Sequence, residues 1–291
     1  HRLQYPAEGM ENRQGQRRGS GADSRPAGSG FGGRPVRHLL LRQSGKAQVF
    51  LPVHACKKAE VPAYFAFGKG KEAEVGALVK RFGGNKVLIH YGGGSVKKNG
   101  VFDKVVKSLD DMKIPYVELG GVKPNPRSGL VYTGIELCRK ENVDFILAIG
   151  GGSAIDSAKA IAMGVPYDGD FWDFYSKGIP VEKSLPVGTV LTISAAGSEG
   201  SSGSVITHEE SMLKWSAGGD VVRPKFSVLN PEFTCTVSAY QTACGITDIM
   251  IHVFERYFTN TTNVETTDRL CEGLLKAMIE EGPKVMKDLT N

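Results

Sequence analysis

The sequence contains no apolar run long enough to cross a bilayer as a helix, which excludes a helical membrane protein. It also lacks CxxC pairs and any regular cysteine framework, since its five cysteines are scattered along 291 residues. A disulfide-stapled secreted domain is therefore not expected, and unpaired cysteines favour a reducing compartment. We accordingly expect a cytoplasmic protein without a membrane partner, whose cysteines are ordinary buried thiols.

Aromatic residues are few in the N-terminal part of the chain, and they are not interleaved with its arginines. Residues 1–60 hold eight Arg and three Lys against four acidic residues, a charge of +7 that leaves −2 for the rest of the chain. A composition rich in Gly, Arg, Gln, Ser and Pro predicts a basic, disordered tail over residues 1–63. The acidic Glu8, Glu11 and Asp23 argue against a targeting peptide. We expect an extension without a function of its own and no nucleic-acid partner.

A short apolar run, Phe145 to Ile149, is followed by three glycines at 150–152. The run is too short for most helices and is bounded by glycines, so it predicts a buried parallel strand. Ser153 is the predicted N-cap of a following helix, with Asp156 three residues on. A strand, a glycine turn and a helix N-terminus place unpaired backbone N–H groups and the positive end of a helix dipole at one point, which suits a phosphate.

The spacing of these glycines matches neither GxGxxG nor GxxxxGK[ST], the two commonest nucleotide fingerprints. From the turn alone, a plain strand-to-helix connection is therefore an equal alternative. Lys159 lies one turn beyond Asp156, on the predicted polar side of the helix. Its side chain either reaches back to a phosphate or belongs to a solvated helix face.

A second Gly-Gly-Gly-Ser sequence, residues 92–95, follows the predicted strand Lys86 to Tyr91. Two such loops at the carboxyl ends of strands predict a doubly wound α/β sheet whose strand ends meet at one ligand. Lys97 and Lys98 open the next helical segment. There they either favour an additional phosphate or simply form a charged helix start.

Two further loops follow predicted strands. The strand Ile114 to Leu119 leads to Asn125, which lies between two prolines that fix the turn. The amide of Asn125 either hydrogen-bonds a base or ribose or satisfies the local backbone. The strand Leu185 to Ile193 leads into residues 194–203, which are rich in Ser and Gly. This loop either lets a ligand approach closely or is a flexible linker.

Two short apolar runs, Val205 to Thr207 and Phe226 to Leu229, are predicted to pair as a hairpin, and from Pro231 onward the pattern becomes helical. There Asp248 and His252 lie four residues apart, which puts them on one helix face and close enough to share a metal ion. A carboxylate and an imidazole suit Fe, Zn, Mn or Co. A hydrogen-bonded pair without metal is the alternative, because no further histidine follows to complete a site.

Five motifs in one order make the chain from about Phe65 onward resemble the iron-containing (group III) alcohol dehydrogenases, in particular their NADPH-dependent butanol dehydrogenase and aldehyde reductase branch. The motifs are YGGGSVKKNG (91–100), KPNP (123–126), AIGGGSAIDSAK (148–159), AGSE (196–199) and GITDIMIH (245–252). The resemblance implies a dinucleotide-binding α/β domain over 64–230 and the beginning of an all-helical domain over 231–291. The active site would lie between the two.

The resemblance also implies NADP(H) as the cofactor. Where some NAD-preferring relatives place an Asp on the ribose, this chain has Gly93 beside Ser95. A 2′-phosphate would be repelled by that acid and attracted by hydroxyl and lysine donors. The implied cofactor-binding residues are Gly93, Gly94, Ser95, Asn125, Gly151, Gly152, Ser153, Asp156, Lys159, Thr192 and Lys214.

The implied reaction is hydride transfer between the nicotinamide and a small primary alcohol or aldehyde. Asp248 and His252 would be two ligands of an Fe²⁺ or Zn²⁺ ion that polarises the carbonyl oxygen. No catalytic acid is identified. Members of the family usually assemble as dimers or larger, which implies a homodimer as the candidate assembly.

Members of this family continue beyond the position of Asn291 and supply two further His ligands from later helices. We therefore expect a truncated member with an unrelated N-terminal tail. Such a chain is either an active dehydrogenase or an NADP(H)-binding fragment with impaired catalysis. A lyase related to the dehydroquinate synthases is a third alternative, over which Asp248, His252 and the loops around Ser95 and Asn125 favour the dehydrogenase.

Overall fold

The computed structural model describes residues 63–290, so all of the predicted tail over 1–63 except its last residue lies outside the described residues. In chain order the strands are β1 (Tyr64–Phe67), β2 (Val87–Tyr91), β3 (Tyr116–Leu119), β4 (Phe145–Gly150), β5 (Val187–Leu191), β6 (Gly203–Thr207), β7 (Lys214–Gly218) and β8 (Phe226–Leu229). The α-helices are α1 (Val75–Arg81), α2 (Ser95–Lys98), α3 (Val101–Asp111), α4 (Ser128–Glu141), α5 (Gly152–Gly164), α6 (Asp173–Ser176), α7 (Ala239–Tyr257) and α8 (Glu265–Lys287). Three 3₁₀ turns cover Lys71–Glu74, Asp220–Val222 and Pro231–Thr236.

Six strands form one parallel sheet in the order β1-β8-β5-β4-β2-β3. All six residues of β4 are buried, because helices cover both faces of the sheet. Ile146 and Ala148 face the cluster that contains α4 and α5, whereas Phe145, Leu147 and Ile149 face the cluster that contains α1 and α3. Burial on both faces explains why this strand is apolar throughout rather than alternating. The predicted doubly wound α/β architecture is confirmed.

The predicted hairpin between residues 205–207 and 226–229 is wrong. Residues 203–207 instead pair antiparallel with 214–218, whereas 226–229 form an inner strand of the parallel sheet between β1 and β5. Both segments are short and apolar, so their composition did not distinguish a local antiparallel partner from a distant parallel one.

The predicted cap of the helix after the glycine turn is also wrong. The N-cap residue of α5 is Gly151, and Ser153 lies inside the first helical turn. Before α1, residues 71–74 form a 3₁₀ turn, and the chain becomes α-helical only at Val75.

From Pro231 onward the described chain is helical, as the sequence predicts. Ser238 caps α7, its Oγ accepting from the N–H of Gln241, and α7 packs along α8. At Gly245, a Cβ would lie 2.6 Å from the carbonyl oxygen of Ser194, so α7 approaches the loop after β5 closely at this glycine. Among residues 63–290, no helix is both long and apolar enough to span a membrane.

Candidate dinucleotide and metal site

The carboxyl ends of β3, β2, β4 and β5 lie side by side at one edge of the sheet. Tyr91 is the register partner of Ile149, and Gly150 is the partner of Leu191. The loops at 92–95, 120–126, 150–152 and 192–203 therefore emerge at the same edge. This is where an open parallel α/β sheet binds its ligands.

The glycine turn at 150–152 is packed closely against the loop after β5. A Cβ on Gly151 would lie 2.4 Å from Cγ2 of Ile193, and the N–H of Thr192 donates to the carbonyl of Gly150 at 3.1 Å. The amides of Gly152 and Ser153 belong to the first turn of α5, where backbone N–H groups have no intrahelical acceptor. This turn therefore presents N–H donors and a positive helix end at the sheet edge, which fits a pyrophosphate.

Lys159 does not lie on a solvated helix face, which was one of the two alternatives that the sequence left open; it is fully buried. Its Nζ donates to the carbonyl oxygens of Ser198 at 2.7 Å, Ser201 at 2.9 Å and Gly203 at 2.9 Å. The loop after β5 folds over α5 and encloses the ammonium group. The buried position leaves Lys159 bonded to protein carbonyls rather than facing the sheet edge.

Asp156 is also engaged with the loop after β5. Its carboxylate accepts from Oγ of Ser198 at 2.5 Å and from the N–H of Val205 at 3.1 Å. Burial raises the pKa of this carboxyl, although the bonds from Ser198 and Val205 and the charge of Lys159 favour its ionised form. In the described structure, the carboxylate of Asp156 is therefore hydrogen-bonded to Ser198 and to the backbone of Val205.

The second glycine loop is open to solvent. Gly93, Ser95 and Lys98 are exposed, and a Cβ on Gly93 would meet no atom within 4 Å. Lys97, by contrast, pairs with Glu118 at 2.7 Å and lies 4.3 Å from the centroid of the Phe102 ring. Its hydrogen bond with Glu118 raises its pKa. Of the two lysines, Lys98 makes no ion pair with any residue of the described range 63–290, whereas Lys97 does.

Asn125 and Lys214, two predicted nucleotide-binding residues, meet across 89 positions of sequence. Nζ of Lys214 donates to Oδ1 of Asn125 at 2.7 Å. Asn125 has a left-handed backbone with φ of 55°, which Asn tolerates better than most residues, and the turn exposes its side chain. The strand β7 carries Lys214 to this position, and the sequence had placed it only between two wrongly paired strands.

Asp248 and His252 lie on one face of α7, as their spacing predicts. Nε2 of His252 is 3.7 Å from Oδ1 of Asp248, and the two side chains are 41% and 44% exposed, respectively. On the other side of the ring, Nδ1 lies 3.8 Å from Oε2 of Glu255. Within residues 63–290, no group of three or more His, Cys, Asp or Glu is arranged to hold a metal. The described residues fit two ligands of a metal, not a complete site.

Several residues that shape the site were missed by the sequence analysis, namely Ser198, Ser201, Arg223 and Ser227. The hydroxyls of Ser198 and Ser201, within the loop after β5, accept from Lys159. Arg223 and Ser227 donate to backbone carbonyls of the same loop. The sequence of helix α5 could have indicated these residues, because Asp156 and Lys159 are its only charged residues and the others are apolar or small. A helix that is apolar all round is buried all round, so these charges need buried partners.

The profile of the family described as iron-containing alcohol dehydrogenase matches residues 62–231. The chain belongs to the iron-containing alcohol dehydrogenase family. Over 230 residues it is 49% identical to the probable NADH-dependent butanol dehydrogenase 2 of Bacillus subtilis (strain 168), a match that covers 79% of this chain and 59% of the relative. The NADPH-dependent aldehyde reductase YqhD of Escherichia coli (strain K12) is 38% identical over 233 residues, with the same coverage of 79% and 59%.

Solved structures give the same result. The crystal structure of NADH-dependent butanol dehydrogenase A from Thermotoga maritima superimposes with a TM-score of 0.77 at 38% identity, covering 79% of this chain and 57% of that one. The chain thus spans somewhat under two thirds of the length of these relatives. The resemblance inferred from the five motifs is confirmed, and with it the fold.

Proposed function

We propose that this chain is the nicotinamide-cofactor-binding part of a metal-dependent oxidoreductase that interconverts primary alcohols and aldehydes. The observation that carries the proposal is the glycine turn at 150–152, which joins a buried strand to the N-terminus of a thirteen-residue helix at the edge where three other loops emerge. Membership of a family of alcohol dehydrogenases supports the reaction class. It also favours a dehydrogenase over a lyase.

The backbone N–H groups of Gly152 and Ser153 bind the pyrophosphate of the cofactor in this proposal, and Gly151 lets the turn approach the loop after β5. Asn125 and Lys214, which hydrogen-bond each other, line the nucleotide together with Thr192. When bound, the nicotinamide supplies or accepts the hydride. The chain's own residues bind and orient the dinucleotide.

NADP(H) is the proposed form of the cofactor. Gly93 leaves open space where a carboxylate would repel a 2′-phosphate, and the exposed Ser95 and Lys98 offer donors beside it. YqhD, named as NADPH-dependent, supports this choice, whereas the more similar butanol dehydrogenases are named as NADH-dependent. An acidic group, Glu118, lies on the neighbouring strand β3, but its charge is paired with Lys97.

Asp248 and His252 are proposed as two of the ligands of an Fe²⁺ or Zn²⁺ ion. A carboxylate and an imidazole one helical turn apart suit either ion, which takes four or more ligands in total. The described residues supply two of these ligands. A cytoplasmic location is part of the proposal, and the free cysteines at 138, 235, 244 and 271 support it. The prediction of buried thiols is wrong for two of these four, since Cys235 is partly exposed and Cys244 is exposed. A homodimer is part of the same proposal.

The experiment that tests this function is oxidation of NADPH by the purified chain with butyraldehyde, with Fe²⁺ or Zn²⁺ added. Turnover that is lost in Asp248→Ala supports a metal-dependent dehydrogenase. Cofactor binding without turnover supports the alternative, an NADP(H)-binding fragment with impaired catalysis. This alternative is favoured by the presence of only two ligands among the described residues. Absence of both binding and turnover would refute the proposal.

A further inference from the structure

The carbonyl oxygens of the loop at residues 198–203 accept hydrogen bonds from several side chains of the surrounding structure. Three of these carbonyls, at Ser198, Ser201 and Gly203, accept from the ammonium group of Lys159 at 2.7 to 2.9 Å. Two more accept from other side chains: Arg223 Nη1 donates to the carbonyl of residue 200 at 2.6 Å, and Ser227 Oγ donates to that of residue 199 at 2.7 Å. Most of the loop's carbonyl groups are therefore turned towards the protein.

The ammonium of Lys159 is suited to this role because it has three donors and no acceptor. Three carbonyl acceptors around a fully buried Nζ use all of them. Burial lowers the pKa of Lys159 to about 8, with Asp156 and Glu199 raising it and Arg223 lowering it further. The group is therefore charged at pH 7, where charge-assisted hydrogen bonds are stronger than neutral ones.

The same loop borders the edge of the sheet at which the glycine turn emerges. A Cβ on Gly152 would lie 3.9 Å from Cβ of Ser198, so the loop stands beside the first turn of α5. Ser198 is itself 7% exposed and donates to Asp156, which fixes the near end of the loop. In strand order, this loop follows β5 and lies on one side of β4, whereas the loop with Gly93 follows β2 on the other side.

We propose that Lys159 is a positioning residue that fixes loop 198–203 as the wall of the dinucleotide crevice on the side away from Gly93. The inference rests on the proposed function, because it assigns the crevice to a nicotinamide dinucleotide. Asp156 shares the role through Ser198. In this assignment neither charged side chain of α5 contacts phosphate; both build the surface that the pyrophosphate and the nicotinamide half lie against.

The test uses the full chain and two readouts. Backbone hydrogen exchange, measured without nucleotide, reports the protection of residues 198–203 relative to β4. Titrations with NADPH and with 2′,5′-ADP, which lacks the nicotinamide half, measure the affinity of the crevice for each nucleotide. The variants are Lys159→Met, which keeps the side-chain length without donors, and Ser198→Ala, which removes the Oγ that donates to Asp156 and accepts from Lys159 but keeps the carbonyl contact with Lys159. Lys183→Met on the exposed surface is the control.

In Lys159→Met we expect loop 198–203 to lose protection while β4 keeps it. We expect NADPH affinity to fall by about tenfold, the effect of losing interactions worth one strong hydrogen bond. The affinity for 2′,5′-ADP should stay within about twofold, because its ribose lies on the Gly93 side. Ser198→Ala should change both readouts in the same direction, and it decides the matter if Lys159→Met does not fold.

Unchanged loop protection and NADPH affinity in both variants would overturn the proposal. Equal loss of protection in the loop and in β4, or equal weakening of both nucleotides, would also overturn it, since Lys159 would then support the whole domain rather than one wall. If the unaltered chain binds neither nucleotide, the proposed function and the crevice role fail together. The exchange comparison still decides whether Lys159 holds the loop.

Discussion

Nε2 of His252 lies 3.7 Å from the Asp248 carboxylate, one turn earlier on α7, and both side chains remain about two-fifths exposed. The separation allows an ion to lie between the two groups with little rearrangement, and the exposure leaves room for ligands from elsewhere. The Ser194 backbone contact at Gly245 brings this helix next to the loop after β5. Asp248 and His252 thus lie on the helix that borders the edge of the sheet where the glycine turn emerges.

Asp248→Ala should weaken Zn²⁺ binding by at least roughly tenfold, because it removes one of only two described ligands. Competition with a chromophoric chelator measures this. Glu255→Ala is the matched control, since Glu255 lies at Nδ1, on the other side of the imidazole ring. Equal loss in the two variants would show that the metal is not bound between Asp248 and His252.

Gly93→Asp should reverse the cofactor preference. The position has no positive φ and open space for a side chain, so the substitution adds a charge without backbone strain. A carboxylate close to a 2′-phosphate costs about 1 kcal/mol or more even in high dielectric, which lowers NADPH affinity by roughly tenfold and leaves NADH affinity unchanged or improved. Fluorescence titration with both nucleotides measures the ratio.

Gly93→Asn is the uncharged control of the same shape, and it should leave the NADPH to NADH ratio within about twofold of the starting value, because neutral amides repel no phosphate. If Gly93→Asp leaves the ratio unchanged, the ribose does not lie at this loop.

Gly151→Ala should destabilise the chain by about 1–3 kcal/mol, the usual cost of an added methyl in a closely packed place. The new Cβ would lie 2.4 Å from Cγ2 of Ile193, and a β-branched side chain cannot turn that methyl aside at low cost. Urea denaturation measures the change. Gly93→Ala, where the methyl meets nothing within 4 Å, should change the free energy of unfolding by less than about 0.5 kcal/mol. Similar values for the two variants would contradict the close packing of the turn.

Acid should destabilise the sheet through His90. Its ring is fully buried, with Nδ1 2.8 Å from the carbonyl of Leu119 and Nε2 2.8 Å from Oγ of Ser157, so Nδ1–H donates and the serine hydroxyl donates to Nε2. Burial lowers the pKa of His90 from 6.5 to about 4. The folded state therefore binds fewer protons than the unfolded state between these values, and stability falls as pH drops through this window.

A pKa difference of this size corresponds to about 3 kcal/mol lost between pH 7 and pH 4. Urea denaturation across this range measures it, and His90→Gln should lack this part of the pH dependence although it is less stable at pH 7. Identical pH profiles for the two proteins would show that His90 is not held neutral in the folded state.

The sequence predicted the elements whose pattern is local. The apolar run at 145–149 and the glycines after it specify a buried strand and a turn, because length, composition and flanking residues all agree. The spacing of Asp248 and His252 likewise specifies one helix face. Such features depend on neighbours within a few positions, so no distant contact is needed to predict them.

Features that depend on distant contacts were predicted incorrectly or not at all. The strand at 226–229 pairs with residues near 64 and 188, which a short apolar run does not reveal. Lys159 becomes buried only because loop 198–203 folds over it, some forty residues along the chain. A lysine at a helical position opposite an apolar stripe resembles a solvated residue until the covering loop is known.

Dinucleotide binding at the glycine turn is tested most directly by titration of the full chain with NADPH and NADH by calorimetry, followed by hydrogen exchange on the complex. We expect saturable binding of one dinucleotide per chain, with protection gained at residues 150–156 and at loop 198–203. Absence of binding for both nucleotides, or binding that leaves the glycine turn unprotected, would contradict it.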